Sequence, residues 1–264
     1  MNPVPVLLKT HKKLWISLGV ALFLLFAISQ IPAVWGAYLL SRSTGLALSG
    51  VTGTVWNGRA SLASLPRPER EYPLGQLSWK LKPFSLLALT PCAQVTTHLP
   101  GQQFDGEVCS GTGGVMKLRN ADISLPVALI QSKLPVLIQG QLSTHINDME
   151  LRGDVLLKLD GKLTWNGAQV NTGTNWLDIG SHAAEFTDNG NNGIRARFFH
   201  LTGPVEVDLQ VELLAPSGGS LAGELAAPKS FFESANALDM LAMFTQEGAM
   251  DEQGNTHYRV DLSL

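Results

Sequence analysis

Six histidines, His11, His98, His145, His182, His200 and His257, are the first residues to ask about acid–base or metal chemistry. Neighbours among them are far apart in the chain. A zinc hydrolase needs two histidines one helical turn apart with a glutamate beside the first, and no HExxH occurs. GxSxG, a phosphate-cradling glycine loop and a dinucleotide fingerprint are also absent from the sequence. The segment Asp188-Asn-Gly-Asn-Asn-Gly193 has the look of a calcium loop. Its third position is Gly190, however, and Phe199 stands where the bidentate glutamate belongs, so a solvated hairpin tip is expected. No catalytic residue, metal ligand or cofactor site is assigned.

Two cysteines remain, Cys92 and Cys109. Their spacing alone leaves two readings, a disulfide or two buried thiols, and no CxxC or nearby histidine pair suggests a metal. In an oxidising compartment a bridge is expected. Closing a loop of this size stabilises a fold by about 3 kcal/mol in the chain-entropy view. Trp56, Trp79, Trp165 and Trp176 would stack a ligand if gathered on one platform, but at strand spacing they read first as core. The acidic positions of Val205–Leu213 read as a solvated face. The alternative is an edge that repels wrong partners or docks a basic one.

The compartment is set by Leu14–Leu40, which carries no charge. A helix needs about 20 apolar residues to cross a bilayer. Lys9, Lys12 and Lys13 precede the stretch and only Arg42 follows closely, which puts the N-terminus in the cytoplasm. Trp15 and the pair Trp35/Tyr38 lie near opposite ends, where aromatic belts form. Pro32 is expected to end or kink the helix. The rival is a cleaved signal peptide with its apolar region at Leu14–Ile28, but Trp35 and Tyr38 crowd the available cleavage site. The expected division is a cytoplasmic tail at 1–13, an anchor at 14–40 and a β-rich domain at 41–264.

That last part reads as strands. Gln76–Lys82, Leu151–Trp165, Val205–Leu213 and Thr256–Leu264 alternate apolar and polar residues, the mark of strands with one wet face. Asn57-Gly58 and Asn166-Gly167 are predicted hairpin tips. Phe84–Leu89 reads as one helical turn or an irregular apolar connection, and Val127–Leu134 permits a short helix. One longer helix is predicted at Phe231–Glu247, with Ser230 and Glu233 as its capping box and Gly248 at its C-terminal cap. Gly53-Thr-Val-Trp56-Asn-Gly58, Gly75-Gln-Leu-Ser-Trp79 and Gly161-Lys-Leu-Thr-Trp165-Asn-Gly167 resemble one another at irregular spacing. The fold class is therefore mainly β: a single N-terminal transmembrane helix, then a large curved antiparallel sheet with one or two short covering helices. The net charge of −3 argues against a general nucleic-acid binder, and no small-molecule substrate is expected.

The opening segment Leu48-Ser-Gly-Val-Thr-Gly-Thr-Val-Trp-Asn-Gly58, the segment Trp79-Lys-Leu-Lys-Pro83, the Cys92/Cys109 pair and the length of 264 residues resemble type II secretion system protein N (general secretion pathway protein N). The resemblance implies a non-enzymatic component held in the bacterial inner membrane, with its C-terminal domain in the periplasm. Its partners would be the membrane and other secretion subunits, and its work the export of folded proteins across the outer membrane. Glycine-bent β segments also occur in AsmA/TamB-like envelope proteins. The alternative is thus a curved sheet that binds or carries lipid.

Overall fold

The computed structural model describes residues 7–66, 71–131, 134, 136–153, 155–173, 175–190, 193–214, 218–234 and 238–263. Residues 132–133 of the predicted helical turn at Val127–Leu134 and residues 235–237 of the predicted helix Phe231–Glu247 lie outside the described residues.

The chain divides into two units, Met1–Leu81 and Lys82–Leu264. The first begins with helix α1 (Leu7–Ser29) and helix α2 (Ala33–Thr44). Pro32 separates them because it has no N–H to continue the ladder. The last turn tightens instead, with the Gln30 N–H shared between the Phe26 and Ala27 carbonyls. Pro32 itself is extended, at φ −62° and ψ 141°. Leu14–Leu40 is therefore two helices, not one. The uncharged part of α1, Leu14–Ser29, reaches about 24 Å at 1.5 Å per residue, against a hydrocarbon core of about 30 Å. Among the described residues no helix is long and apolar enough to cross a membrane.

Four strands complete this unit: β1 (Ala47–Ser49), β2 (Thr52–Gly53), β3 (Asn57–Pro66) and β4 (Glu71–Leu81). β3 pairs antiparallel with each of the other three. The first predicted hairpin exists, but its tip is Val55-Trp56, closed between Thr54 and Asn57. Asn57-Gly58 opens the return strand. Gly58 faces Trp79 across the ladder, and a Cβ there would run into the indole ring.

The second unit holds α3 (Pro83–Leu87), β5 (Cys92–Leu99), β6 (Gln102–Ser110), β7 (Val115–Pro126), β8 (Ile138–Arg152), β9 (Val155–Asn171), β10 (Trp176–Asp188), β11 (Gly193–Thr202), β12 (Glu206–Leu214), β13 (Gly219–Pro228), α4 (Lys229–Ser234), α5 (Leu238–Ala242), β14 (Thr245–Met250) and β15 (Asn255–Ser263). A single-turn 3-10 helix, Val127–Leu129, takes the place of the predicted helical turn before β8. Each of β5 to β12 pairs with the next, β13 pairs with β15 and β15 with β14, all antiparallel. The expected large antiparallel sheet with few short helices is what forms.

Two local predictions fail. Asn166-Gly167 is no hairpin tip but lies inside the 17-residue β9. The register opposite it slips between Gln139 and Gln141, and Gly167 has φ +58°. A bulge needs a residue at positive φ as much as a tight turn does, so the dipeptide signal could not tell them apart. The helix Phe231–Glu247 also falls short of its predicted end. Helix is described at α4 and α5, residues 235–237 lie outside the described residues, and Thr245–Glu247 is recruited as strand. The free edge of β15 outcompetes helix there: Thr245 pairs with Val260 and Glu247 with Tyr258. The predicted caps consequently sit inside α4 (Ser230 and Glu233) and inside β14 (Gly248).

Candidate functional site

The register sorts side chains of the second unit onto two faces. Residues Phe104, Ile123, Thr144, Leu163, Ala184, Phe198, Leu209, Gly223 and Val260 are successive partners in one cross-strand row. The row one residue along runs Asp122, His145, Lys162, Glu185, Arg197, Gln210. Period-two alternation in each strand, held in register, thus gives one apolar and one polar face.

On the polar face the charges are largely spent on each other. Lys117 pairs with Glu150, and Asp148 takes both Lys158 at 3.0 Å and Arg119 at 3.9 Å. Lys162 reaches Glu185 at 3.0 Å, and Arg195 reaches Glu212 at 2.8 Å. Arg197 donates two hydrogen bonds to Asp208, at 3.2 and 3.0 Å. Hydrogen bonding and the charge of Asp208 raise the Arg197 pKa, and Asp148 raises that of Lys158 in the same way. Asp208 and Glu212 of β12 are therefore matched by β11, and β12 is an interior strand rather than an edge.

The apolar face curls into a groove of about 470 Å³. Ile138 and Trp165 line it from β8 and β9, and Leu221 and Leu262 from β13 and β15. Leu241 of α5 and Phe244 also line it. In a flat sheet β8 and β15 would stand about 29 Å apart, six steps of about 4.8 Å. Lining one groove requires the sheet to bend round. Beside it Leu177, Val205, Ala227, Phe232 and Tyr258 form a core cluster. The Phe232 ring meets Tyr258 edge-on at 5.5 Å, which fastens α4 to β15.

Two of the histidines stand on this apolar face. His182 is directly opposite both Trp165 and His200, and the two imidazole centroids are 6.0 Å apart. His182 is 7% exposed and its Nε2 meets the Ile179 carbonyl oxygen at 3.0 Å. Its Nδ1 and the Nε2 of His200 are buried with no hydrogen-bond partner among the described residues. Burial first, and the neighbouring His200 second, hold the His182 pKa below its ordinary value. Eighteen residues of sequence separate the pair, so only the β10–β11 register reveals it.

The other candidates fall elsewhere. His145 meets Asp122 at 2.7 Å, and His257 sits between Glu224 and Asp251 at 3.1 and 3.3 Å. The Asp251 carboxyl is pulled below its usual range, first by the Asn255 N–H. His98 is exposed on β5, and His11 is on α1, its side chain outside those described. Asp188 and Asn189 accept the Gly190 and Gly193 N–H groups at 2.9 and 3.1 Å, so the loop is built as the connection of β10 to β11, with Asn191 and Asn192 outside the described residues. Cys92 and Cys109 are direct partners across β5 and β6 and are joined, with an S–S distance of 2.08 Å.

The tryptophans are not core: Trp56, Trp79 and Trp165 are half-buried and Trp176 is exposed. Trp79 donates its indole N–H to the Val55 carbonyl at 3.0 Å and Trp165 to that of Gln139 at 2.9 Å. Trp165 also crowds Gly140, where a Cβ would lie 2.5 Å from its Nε1. The glycine–tryptophan repeat in the sequence is thus a device that clamps a ring over bare backbone, once in each unit.

Comparison with known proteins extends these observations. The family model described as type II secretion system (T2SS), protein N matches residues 44–257, which takes in nearly every strand of both units. The chain is 25% identical over 166 residues to type II secretion system protein N of Vibrio cholerae serotype O1. That match covers 61% of this chain and 64% of the relative, so somewhat under two thirds of the Vibrio protein is spanned. It is 24% identical over 185 residues to the protein of the same name from Aeromonas hydrophila, covering 67% of this chain and 71% of that one. No solved structure matches. With the family match running through nearly every strand described above, the chain belongs to the type II secretion system protein N family.

Proposed function

We propose that this protein is a non-enzymatic, membrane-held component of the type II secretion machine, whose sheet docks other subunits during export of folded proteins from the periplasm. The carrying observation is that the family match runs over the sheet itself, from 44 to 257, rather than over an appended domain. The apolar groove gives such docking a surface. The disulfide fits an oxidising periplasm. Anchoring in the inner membrane, with the N-terminus in the cytoplasm, is supported by the lysine asymmetry and by α1, whose apolar side chains are exposed all round. Leu14–Ser29 is about 6 Å short of a full core, a mismatch that local thinning of the bilayer and an upward-reaching Lys13 accommodate.

Deletion of the gene tests the reading. The expected result is accumulation of normally secreted enzymes in the periplasm, with other secretion subunits recovered on crosslinking to the detergent-solubilised protein. Unchanged secretion together with recovery of lipid alone would sink it. The second reading, lipid handling, is favoured by one observation: the groove lining is apolar throughout apart from Thr245. Native mass spectrometry of the full chain would then show bound acyl chains.

A further inference from the structure

The elbow between α1 and α2 is held by the β2–β3 hairpin. The Val55 N–H donates to the Ile31 carbonyl at 2.9 Å, and the Trp56 indole N–H to the Ile28 carbonyl at 2.8 Å. Pro32 and Thr54 form a β-bridge between them. Carbonyls that a helix end leaves without intrahelical donors are thereby taken up by a hairpin tip rather than by water. α2 then packs its small face on the same hairpin: Ala33 is 1% and Ala37 6% exposed, and a Cβ on Gly36 would lie 3.3 Å from Val55.

The opposite face of α2 is apolar and uncovered. Trp35 is 67% and Tyr38 60% exposed, with Val34 beside them. β2 pairs with β3 alone among the described strands, and an open strand edge has no place in hydrocarbon, where every unpaired N–H and C=O costs several kcal/mol. α2 is fixed to that hairpin and so stays outside the hydrocarbon core. Yet it follows within a few residues a helix that exposes Leu25 and Phe26. It contains no acidic residue, and its last turn carries Arg42. Tryptophan and tyrosine beside an uncharged helix, with an arginine at the end, match the headgroup layer.

We propose that α2 is a membrane-surface helix. Its Val34–Trp35–Tyr38 face lies on anionic lipid, and the elbow at Gln30–Pro32 marks where the chain leaves the bilayer. This rests on the reading that α1 is inserted in the membrane. The full chain, reconstituted in vesicles of phosphatidylethanolamine and phosphatidylglycerol, carries nitroxides at Val34→Cys, Tyr38→Cys or Arg42→Cys, with Leu22→Cys as the control for α1. Cys92 and Cys109 are already paired and take no label without reductant.

The expected result is a deep label at position 22 and shallow, similar depths at 34, 38 and 42. The spread among those three should be under half of the about 12 Å that eight residues of spanning helix produce. A steady change of depth from 34 to 42 would show that α2 continues the span and overturn the proposal. So would full water access at all three positions with 22 still in lipid, which leaves the anchor itself intact. Labels hidden from both oxygen and water, with spin–spin broadening between copies, would assign the face to a second chain and also overturn it. Water access at position 22 would remove the anchor and the proposal together.

Discussion

The two faces of the second unit are made by the same strands in the same register, yet one is finished and the other is not. On the polar face each strand brings charges that its neighbour answers, as Arg195 and Arg197 answer Glu212 and Asp208. On the apolar face the same strands bring leucines that line a groove. The difference shows where recognition has to come from. A face neutralised by its own cross-strand pairs offers little net charge to a partner, while the groove offers apolar area that gains on being covered.

The comparison can be broken most strongly at the covered end of the apolar face. Phe232→Ala should cost about 3–5 kcal/mol, because a ring packed against Tyr258 and nearly free of solvent leaves a cavity. Urea unfolding of the full chain in detergent would measure it. The double variant Cys92→Ser/Cys109→Ser should lose about 2–3 kcal/mol in the same assay, with the wild type under reductant falling to match it. The bridge links residues already paired across a hairpin, so the lower end of that span is expected.

A pH scan sharpens the contrast further, since the buried histidine pair belongs only to the apolar face. The folded state holds the His182 pKa below its ordinary value of 6.5, so the unfolded chain binds the proton more readily. Stability from this group is therefore present above pH 6.5 and is lost as pH falls below it. His182→Phe should flatten that part of the acid limb. The polar face should respond least. Arg195→Ala is expected to change stability by no more than about 0.5 kcal/mol, because both partners are half exposed. A loss above about 2 kcal/mol would mean the ion-pair ladder holds the sheet together more than the groove side does.

Much of this was legible in the chain. The alternation of Val205–Leu213 reads directly as a strand with one apolar and one polar face, and the placement of Leu77, Trp79 and Leu81 on one side of β4 follows from period two alone. What could not be read depends on non-local choices. Thr245–Glu247 has helical spacing on its N-terminal side, and only the free edge of β15 turns it into strand. Asn166-Gly167 supplies a positive φ without saying whether the chain reverses there. The groove needs the curl of β8 to β15, and the histidine pair needs the β10–β11 register. Strand identity is local in origin, whereas the site arises from the order in which strands are laid side by side.

The junction beneath the hairpin also has a mechanical meaning. A pull on the first sheet reaches α1 by two parallel routes, the covalent chain through Pro32 and the lateral links from Val55 and Trp56 to Ile31 and Ile28. Two such links shorten the free length of the joint to almost nothing, so the sheet and the helix end must tilt as one lever instead of swinging on a tether. Trp56→Ala would add slack at that joint while leaving the strands it connects unchanged.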